Sequence, residues 1–180
     1  MLVTRVLNQC HRFPGFVYEP ARFCDDGQSI LIPIRPRKGS RATCSGCHRP
    51  AAGYDKFRTP RHFEFMAIRG FLVYFLYSMR RVNCKRCGIV VEEVPWGMGK
   101  HSLTKVYMHF FGHWARKLSW KETAESFHTT GDKVHDSVEY LEPVPFPGFF
   151  ETQISPIEKT GVTNEREPLR GRISCTTGRL

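Results

Sequence analysis

Four cysteines are the residues whose spacing most clearly indicates chemistry. "CSGC" places two of them at Cys44 and Cys47, "CKRC" places two more at Cys84 and Cys87, and 36 residues separate the pairs. Each C-x-x-C turn brings two thiolates within reach of one metal ion, and four thiolates match the tetrahedral coordination of Zn²⁺. Because four sulfurs leave no open coordination position, the motif predicts one structural zinc ion.

The first cysteine pair allows a second interpretation. His48 follows Cys47, so "CSGCH" also matches C-x-x-C-H, the attachment sequence of a c-type haem. That interpretation needs an oxidising compartment and gives the second cysteine pair no role, whereas zinc uses all four thiols. Gly46 and Gly88 supply the backbone freedom that tight metal-binding turns require. We therefore expect zinc, with His48 either uninvolved or in contact with a phosphate.

The N-terminal sequence carries no secretory signal. "MLVTRVLNQCHRFPGF" has Arg5 and Arg12 and no apolar core, and the run "FMAIRGFLVYFLY" contains Arg69 and is too short to span a bilayer. A cytoplasmic protein without a membrane partner is therefore expected. In that compartment disulfides are rare, so the cysteines without a pair at ligand spacing are expected to be free thiols. These are Cys10, Cys24 and Cys175.

Positive charge is concentrated in the middle of the chain. The whole sequence has 27 Lys and Arg against 17 Asp and Glu, a formal charge of +10. Residues 35–121 contain 18 basic and four acidic residues, so this stretch carries +14 and the remainder −4. Such a local excess predicts an anionic partner, and nucleic acid phosphates are the most frequent one.

The elements around the cysteines are predicted to be strands. Residues 15–36 indicate two strands joined by a turn at "DDGQ", since Asp-Gly favours hairpins. Residues 60–94 indicate a second β block that reaches the "CKRC" turn and leaves it along "GIVVEEVPW". Two cysteine turns continued by strands predict a zinc ribbon. Glu92 and Glu93 are expected at a solvated strand edge, and six aromatic residues are expected in the core rather than stacked on bases: Phe63, Phe65, Phe71, Tyr74, Phe75 and Tyr77.

A helical period follows Trp96. In "HSLTKVYMHFFGHWARKLS" apolar residues recur at helical spacing, namely Leu103, Val106, Tyr107, Phe110, Trp114 and Leu118. Ser119 with Glu122 forms a capping-box pattern that begins a second helix, with Ala124 and Phe127 facing inward. "HTTG" ends this helix, and a third one, from about Asp132 to Leu141, places Val134, Val138 and Leu141 on one face.

Three helices, with a tight turn before the last, predict a helix-turn-helix unit. The charge of this region argues against a strongly basic DNA-recognition helix. Residues 118–142 contain two Lys and six acidic residues. The predicted fold class is α+β. The predicted domains are an N-terminal hairpin and zinc ribbon over 1–96, a helix-turn-helix domain over 97–142, and a largely disordered, proline-containing tail over 143–180.

Residues 15–140 carry a family resemblance. The segments "CSGCHRPAAGYD", "RRVNCKRCGIVVEEVPWGMGKHSLTK" and "WARKLSWKETAESFH" resemble the N-terminal part of bacterial insertion-sequence transposases of the ISL-three type. The resemblance implies a zinc ribbon and a helix-turn-helix that bind the terminal inverted repeats of a transposon. It also implies a following DDE domain, in which three carboxylates hold the metal ions for strand transfer.

The sequence departs from that family after "VEYLEP". The proline-rich tail ends at Leu180, too early for a DDE domain, so a frameshift or truncation is the hypothesis and no strand-transfer activity is expected. The expected function is zinc-dependent binding of double-stranded transposon ends, at the nucleoid, without a small-molecule substrate. A second copy of the chain or a full-length transposase is a further expected partner. The alternative is a zinc-ribbon module that binds RNA or a partner protein.

The predicted DNA contacts are basic residues near the second cysteine turn and along the helices, together with one serine of the third helix. They are Arg80, Arg81, Lys85, Arg86, Lys100, Lys105, Arg116, Lys117, Lys121, Lys133 and Ser137. The basic side chains are expected to contact phosphates, and the third helix to supply any reading of bases.

Overall fold

The protein is described by a computed structural model that covers residues 2–141. It is mixed α+β, as the sequence predicts, and the described chain divides into two compact units, residues 2–110 and 111–141. The predicted tail over 143–180 lies outside the described residues. None of the described helices is long and apolar enough to cross a membrane.

The first unit begins with a helix that the sequence pattern did not reveal, α1 (Leu2–Cys10). Nine strands follow, in two groups. The larger sheet contains β1 (Phe16–Tyr18), β2 (Arg22–Phe23), β3 (Ser29–Pro36), β6 (Arg61–Ile68) and β7 (Phe71–Tyr77). The smaller group contains β4 (Ala42–Cys44), β5 (Pro50–Lys56), β8 (Arg80–Cys84) and β9 (Gly88–Glu93).

The larger sheet has the order β1-β3-β7-β6, with β2 also paired to β3. The predicted hairpin turn is present between β2 and β3, where the Cys24 N–H donates to the Ser29 carbonyl over 2.8 Å. The pairing of β3 with β7 is parallel, with Ile30 opposite Val73. Because a parallel pair needs a long crossover, the chain forms β4, the first cysteine turn, β5 and β6 between these two partners.

Aromatic side chains fill the core of this sheet. Phe63, Phe75 and Tyr77 are buried, as predicted, and Trp96 packs edge-on against Tyr77 with 5.2 Å between ring centroids. The segment after Trp96 extends the sheet beyond β6, because the Glu64 N–H donates to the Ser102 carbonyl over 2.7 Å. The prediction of a β-rich, aromatic core is confirmed for these residues.

The four smaller strands close on themselves in the order β4-β5-β8-β9, and β9 pairs again with β4. We call this arrangement the strand ring. All of its pairings are antiparallel, and its small interior is formed by Ala42, Cys44, Val82 and Cys84. Such a small interior buries little apolar surface, so a further stabilising interaction is required at this size.

Helices occupy the C-terminal part of the described chain. They are α2 (Lys105–Trp114), α3 (Trp120–Ser126) and α4 (Gly131–Leu141), and the boundary between the two units falls within α2. The predicted capping box begins α3: the Glu122 N–H donates to Ser119 Oγ, and the Ser119 N–H donates to the Glu122 carboxylate.

The predicted inward faces of these helices are only partly observed. Val134 and Leu141 are buried on α4, as predicted, but the buried residue of α3 is Thr123, and neither Ala124 nor Phe127 is fully buried. On α2 the sequence pattern missed Met108 and Phe111, both fully buried. Gly112 allows α2 and α4 to approach closely, since a Cβ at this position would lie 2.3 Å from Leu141 Cδ1.

Candidate metal centre and its surroundings

Two turns of the strand ring bring the four predicted cysteines together. Their Sγ atoms all lie within 4.8 Å of one another, and those of Cys47 and Cys84 are 3.6 Å apart. Four sulfurs at about 2.3 Å from a central zinc ion would be about 3.8 Å apart in a tetrahedron. The cluster is therefore compatible with one metal ion, and its all-sulfur donor set fits zinc.

The two cysteine turns have the same backbone form. In each, the residue after the second cysteine has positive φ, 56° at His48 and 73° at Gly88. The His48 N–H donates to the Cys44 carbonyl over 2.9 Å, and Cys84 pairs with Gly88 in the β8–β9 ladder. This equivalence explains why the ligand pairs converge, since each turn projects its two sulfurs toward the same point.

Gly46 is required by the contact between the two turns. A Cβ at this position would lie 3.0 Å from Cys87 Sγ and 3.9 Å from Cys44 Sγ. Real Cβ atoms rarely come this close to a neighbour, and here the neighbour is a candidate ligand. The glycine that the sequence assigned to backbone flexibility is therefore also needed for space.

The thiols influence one another electrostatically. The backbone N–H groups of Arg86 and Cys87 lower the pKa of Cys84 to about 6, because they stabilise its thiolate. The side-chain interaction with Cys44 raises the pKa of Cys87 to about 12. Four thiolates at this spacing repel one another, so a divalent cation would be needed to hold all of them ionised.

His48 contacts a carboxylate. Its Nδ1 lies 2.6 Å from Glu93 Oε2, at the outer end of β9, and its side chain is 71% exposed. His48 therefore has a carboxylate partner within the protein. The other described cysteines differ in burial: Cys10 is an exposed free thiol, as predicted, whereas Cys24 is largely buried. Cys175 lies outside the described residues.

Glu92 was expected at a solvated strand edge, and this prediction was wrong. Glu92 is only 2% exposed, and it lies opposite Cys44 in the β4–β9 pairing. Glu92 Oε1 accepts from Tyr77 Oη over 2.7 Å and from the Arg80 N–H over 2.8 Å, and Oε2 accepts from Arg80 Nε over 2.8 Å. In the alternating pattern of β9, Glu92 faces inward and Glu93 faces outward.

This buried group links the strand ring to the aromatic core. Burial opposes the positive charge of Arg80, but the hydrogen bond and negative charge of Glu92, together with the neighbouring Tyr77, outweigh that effect and raise the pKa of Arg80. Burial and the hydrogen bond to Glu92 both raise the pKa of Tyr77. The carboxylate thus has a cationic and a neutral donor, which is the condition under which a buried charge is tolerated.

Two of the predicted DNA contacts are engaged within the protein. The guanidinium of Arg80 is bound to Glu92, and its side chain is only 18% exposed. Ser137 is fully buried, and its hydroxyl donates to the Lys133 carbonyl over 2.6 Å. The sequence could not reveal either constraint, because a serine within a helix and an arginine at the start of a strand are found both buried and exposed to solvent.

The remaining predicted contacts are found on the surface to different degrees. Arg81 is bound to Asp55, Lys117 lies 5.8 Å from the Trp114 ring centroid, and Lys121 is 3.9 Å from Glu125. Lys105 and Lys133 are partly buried. The exposed members of the predicted set that make no side-chain hydrogen bond or ion pair within the described part of the chain are Lys85, Arg86, Lys100 and Arg116.

The exposed residues of α4 are mostly not basic. Asp132, His135 and Glu139 are exposed there, and the His135 ring lies edge-on to Trp120 with 5.1 Å between centroids. His135, Asp136 and Glu139 also form a group of potential metal ligands, but exposed acidic groups of this kind are common without a metal. The acidic character expected from the sequence of α4 therefore persists on its surface.

Comparisons with known proteins identify one type of relative. No family model matches the chain, and no solved structure matches it. Transposases for insertion sequence element IS1557 from two strains of Mycobacterium tuberculosis, CDC 1551 and H37Rv, are 31% identical to it over 71 residues. The match covers 39% of this chain and 16% of those transposases. The chain is thus similar to a limited part of a transposase.

Proposed function

We propose that the protein binds double-stranded DNA as the recognition part of a transposase of the ISL-three type, at the terminal inverted repeats of a transposon. The observation that carries this proposal is the 31% identity over 71 residues to the IS1557 transposases. The match covers only 16% of the length of those transposases. The proposal therefore concerns DNA binding by this chain and does not extend to it the activity of the whole relatives.

One structural zinc ion at Cys44, Cys47, Cys84 and Cys87 belongs to this proposal. Four sulfur donors would saturate a tetrahedral ion, so the metal would stabilise the zinc ribbon and would not take part in catalysis. The ion would hold β4 against β9 and β5 against β8. It would thereby fix the two cysteine turns, which follow β4 and β8. In this role the metal contributes to binding by fixing the position of cationic side chains.

The proposed phosphate contacts are the exposed cations. Lys85 and Arg86 lie on the outer turn between the second pair of cysteines, Lys100 follows β9, and Arg116 follows α2. Arg81, Lys105, Lys117, Lys121 and Lys133 remain candidates with weaker support, while Arg80 and Ser137 are omitted because they are engaged inside the protein. The acidic solvent side of α4 disfavours phosphate contact there, although α3 and α4 retain the order of a helix-turn-helix.

A binding experiment tests this function. Fluorescence anisotropy of the zinc-loaded full chain would compare duplexes carrying the repeats that flank its gene with random duplexes of equal length, over a salt series. We expect tighter binding to the repeats, and a slope of log affinity against log salt of about −0.9 for each phosphate neutralised. Equal affinity for both duplexes would contradict repeat recognition.

A charge variant locates the interface. Lys85→Gln combined with Arg86→Gln should make the salt slope less steep by about two units, since two phosphate contacts are lost. Arg5→Gln is the matched control, because Arg5 is exposed but lies on α1, outside the basic stretch. An unchanged slope in the double variant would remove the second cysteine turn from the proposed interface.

We further propose that these 180 residues bind DNA without performing strand transfer. In residues 2–141 the groups of three or more potential metal ligands are the four cysteines and the exposed group on α4, and neither has three carboxylates. Two-metal strand transfer depends on carboxylate-bound ions that clamp the reacting oxygens. Mg²⁺- or Mn²⁺-dependent cleavage of repeat DNA by the purified chain would contradict this part of the proposal.

A further inference from the structure

The outer face of the strand ring exposes aromatic rings that the core does not use. Tyr54 on β5 is 55% exposed, and Phe57, directly after β5, is 46% exposed. On β9, which pairs with the far side of β8, Ile89 and Val91 are 49% and 37% exposed. We call the surface formed by Tyr54, Phe57, Arg81, Ile89 and Val91 the ring face. Large exposed apolar groups that lie together generally indicate a binding surface.

Arg81 joins the two aromatic rings of this face. Its Cζ lies 5.4 Å from the Tyr54 ring centroid and 5.8 Å from that of Phe57. The carboxylate of Asp55 binds the same guanidinium through two bonds, one of them 2.7 Å from Arg81 Nε to Asp55 Oδ1. The guanidinium plane is therefore held in place beside both rings, and two planar groups are fixed before any ligand arrives.

The strand register arranges the exposed residues of this face in rows along the strands. On β8 and β9, Arg81 stands opposite Val91 and Asn83 opposite Ile89, so exposed residues of both strands form adjacent rows. Phe57 continues the β5–β8 ladder, because its N–H donates to the Met79 carbonyl over 2.8 Å. From residue 80 to residue 84 a strand extends about 13 Å, which is enough for about two stacked nucleotides.

Positive charge lies at both ends of these strands. Lys56 and Arg58 are exposed at the end where β5 meets Arg80, and Lys85 and Arg86 are exposed at the opposite end, beside the cysteines. Of the two outward-facing acids here, Asp55 is bound to Arg81 and Glu93 contacts His48. A ligand with negative charge at regular intervals and flat apolar groups between the charges would therefore match the arrangement.

We propose that the ring face binds single-stranded nucleic acid by stacking unpaired bases on Tyr54 and Phe57 while the flanking cations contact phosphates. A duplex would not fit this site, because its base faces are already covered by neighbouring base pairs, whereas unpaired bases offer a free π-face. The pattern of exposed rings between cations also distinguishes the face from an apolar surface for a protein partner. The two stacking rings are not among the duplex contacts proposed above, whereas Lys85 and Arg86 would serve both ligands, so Tyr54 and Phe57 rather than the cations carry the test of this site.

Fluorescence anisotropy with labelled oligonucleotides tests the site on the zinc-loaded full chain. The probes are a 15-nucleotide oligothymidylate, a 15-nucleotide oligouridylate and a random 15-base-pair duplex, all at one salt concentration. Tyr54→Ala and Phe57→Ala should each weaken single-strand binding by about five- to one hundred-fold, the range found for loss of one stacking ring, and leave duplex binding unchanged. Similar losses on both single strands identify the base faces and phosphates common to DNA and RNA as the ligand.

Matched variants separate stacking from other effects. Tyr54→Phe keeps a ring and should keep affinity, whereas Tyr54→Leu keeps apolar area without a ring and should lose it. Phe23→Ala removes a 63% exposed ring elsewhere in the same unit and should have no effect. Equal binding by the Phe and Leu variants at position 54, or unchanged affinity in both Ala variants, would overturn the proposal, as would self-association through this face without single-strand binding. Because both rings are exposed, their substitution should not disturb folding. An unchanged zinc content of each variant would confirm this.

Discussion

At the residue scale, Glu92 shows how one inward-facing carboxylate joins two parts of the first unit. It stands on the strand ring opposite Cys44 and accepts hydrogen bonds from Tyr77, whose ring packs against the aromatic core. Arg80 supplies the compensating charge through its guanidinium and a further hydrogen bond through its backbone N–H. A buried ion pair adds little net stability compared with apolar residues, but removing one partner leaves an uncompensated charge.

Glu92→Gln should therefore destabilise the protein strongly. Loss of the negative charge leaves the mostly buried guanidinium of Arg80 unpaired, and we expect a cost of about 2–3 kcal/mol in the free energy of unfolding. Urea denaturation at saturating zinc measures it. Glu93→Gln changes the adjacent, outward-facing residue and should remain within about 0.5 kcal/mol of wild type. Equal effects of the two substitutions would contradict the inward position of Glu92.

Gly46 gives a second prediction at this scale. Gly46→Ala would add a methyl group 3.0 Å from Cys87 Sγ, so the two cysteine turns would have to separate. We expect zinc affinity to fall by about tenfold or more, the loss typical of a disturbed ligand environment. Competition with a chromophoric chelator measures this affinity. Gly53→Ala on β5 is the control, because a Cβ there meets nothing within 4 Å; comparable losses in both variants would refute the steric explanation.

At the element scale, α3 depends on its first turn. The helix has only seven residues, and the reciprocal hydrogen bonds of Ser119 and Glu122 satisfy two N–H groups at its start. Ser119→Ala should cost about 1 kcal/mol, visible as faster amide hydrogen exchange in residues 120–126. Ser126→Ala, at the exposed other end of α3, should leave exchange nearly unchanged. If Ser119→Ala exchanged no faster, the capping box would not stabilise this helix.

The local patterns were the ones that the sequence could predict. The capping box, the "DDGQ" turn and the two C-x-x-C turns each involve residues a few positions apart, and all are present in the structure. Glu92 was misassigned because the adjacent pair "EE" does not show which member faces inward. That choice depends on Arg80 and Tyr77, which lie on other strands. The parallel pairing of β3 with β7 has no local sequence signal for the same reason.

At the scale of the whole molecule, the proposed zinc ion should control the stability of the strand ring. Its four strands surround a small interior in which Cys44 and Cys84 take the place of apolar residues. Removing the metal would leave crowded thiols and few apolar contacts. Structural zinc sites in small domains contribute their binding energy directly to folding.

Treatment with a strong chelator should therefore unfold the ring first. We expect amide protection to be lost in β4, β5, β8 and β9 before it is lost in α4, as hydrogen exchange would show. Cys84→Ser should reproduce this effect and prevent stoichiometric zinc binding, whereas Cys10→Ser, which changes an exposed free thiol, should do neither. Undiminished protection of the ring after complete metal removal would contradict a structural role.

The order of the strands along the chain gives the metal centre a consequence for folding kinetics. The 36 residues between Cys47 and Cys84 contain β6 and β7, which belong to the larger sheet and not to the ring. Binding of one ion to both turns would close this segment into a loop and reduce the conformational search of its strands, as a cross-link does. Zinc should then accelerate formation of the β6–β7 hairpin, which contributes none of the four candidate ligands, so the refolding rate of that hairpin would report on metal binding.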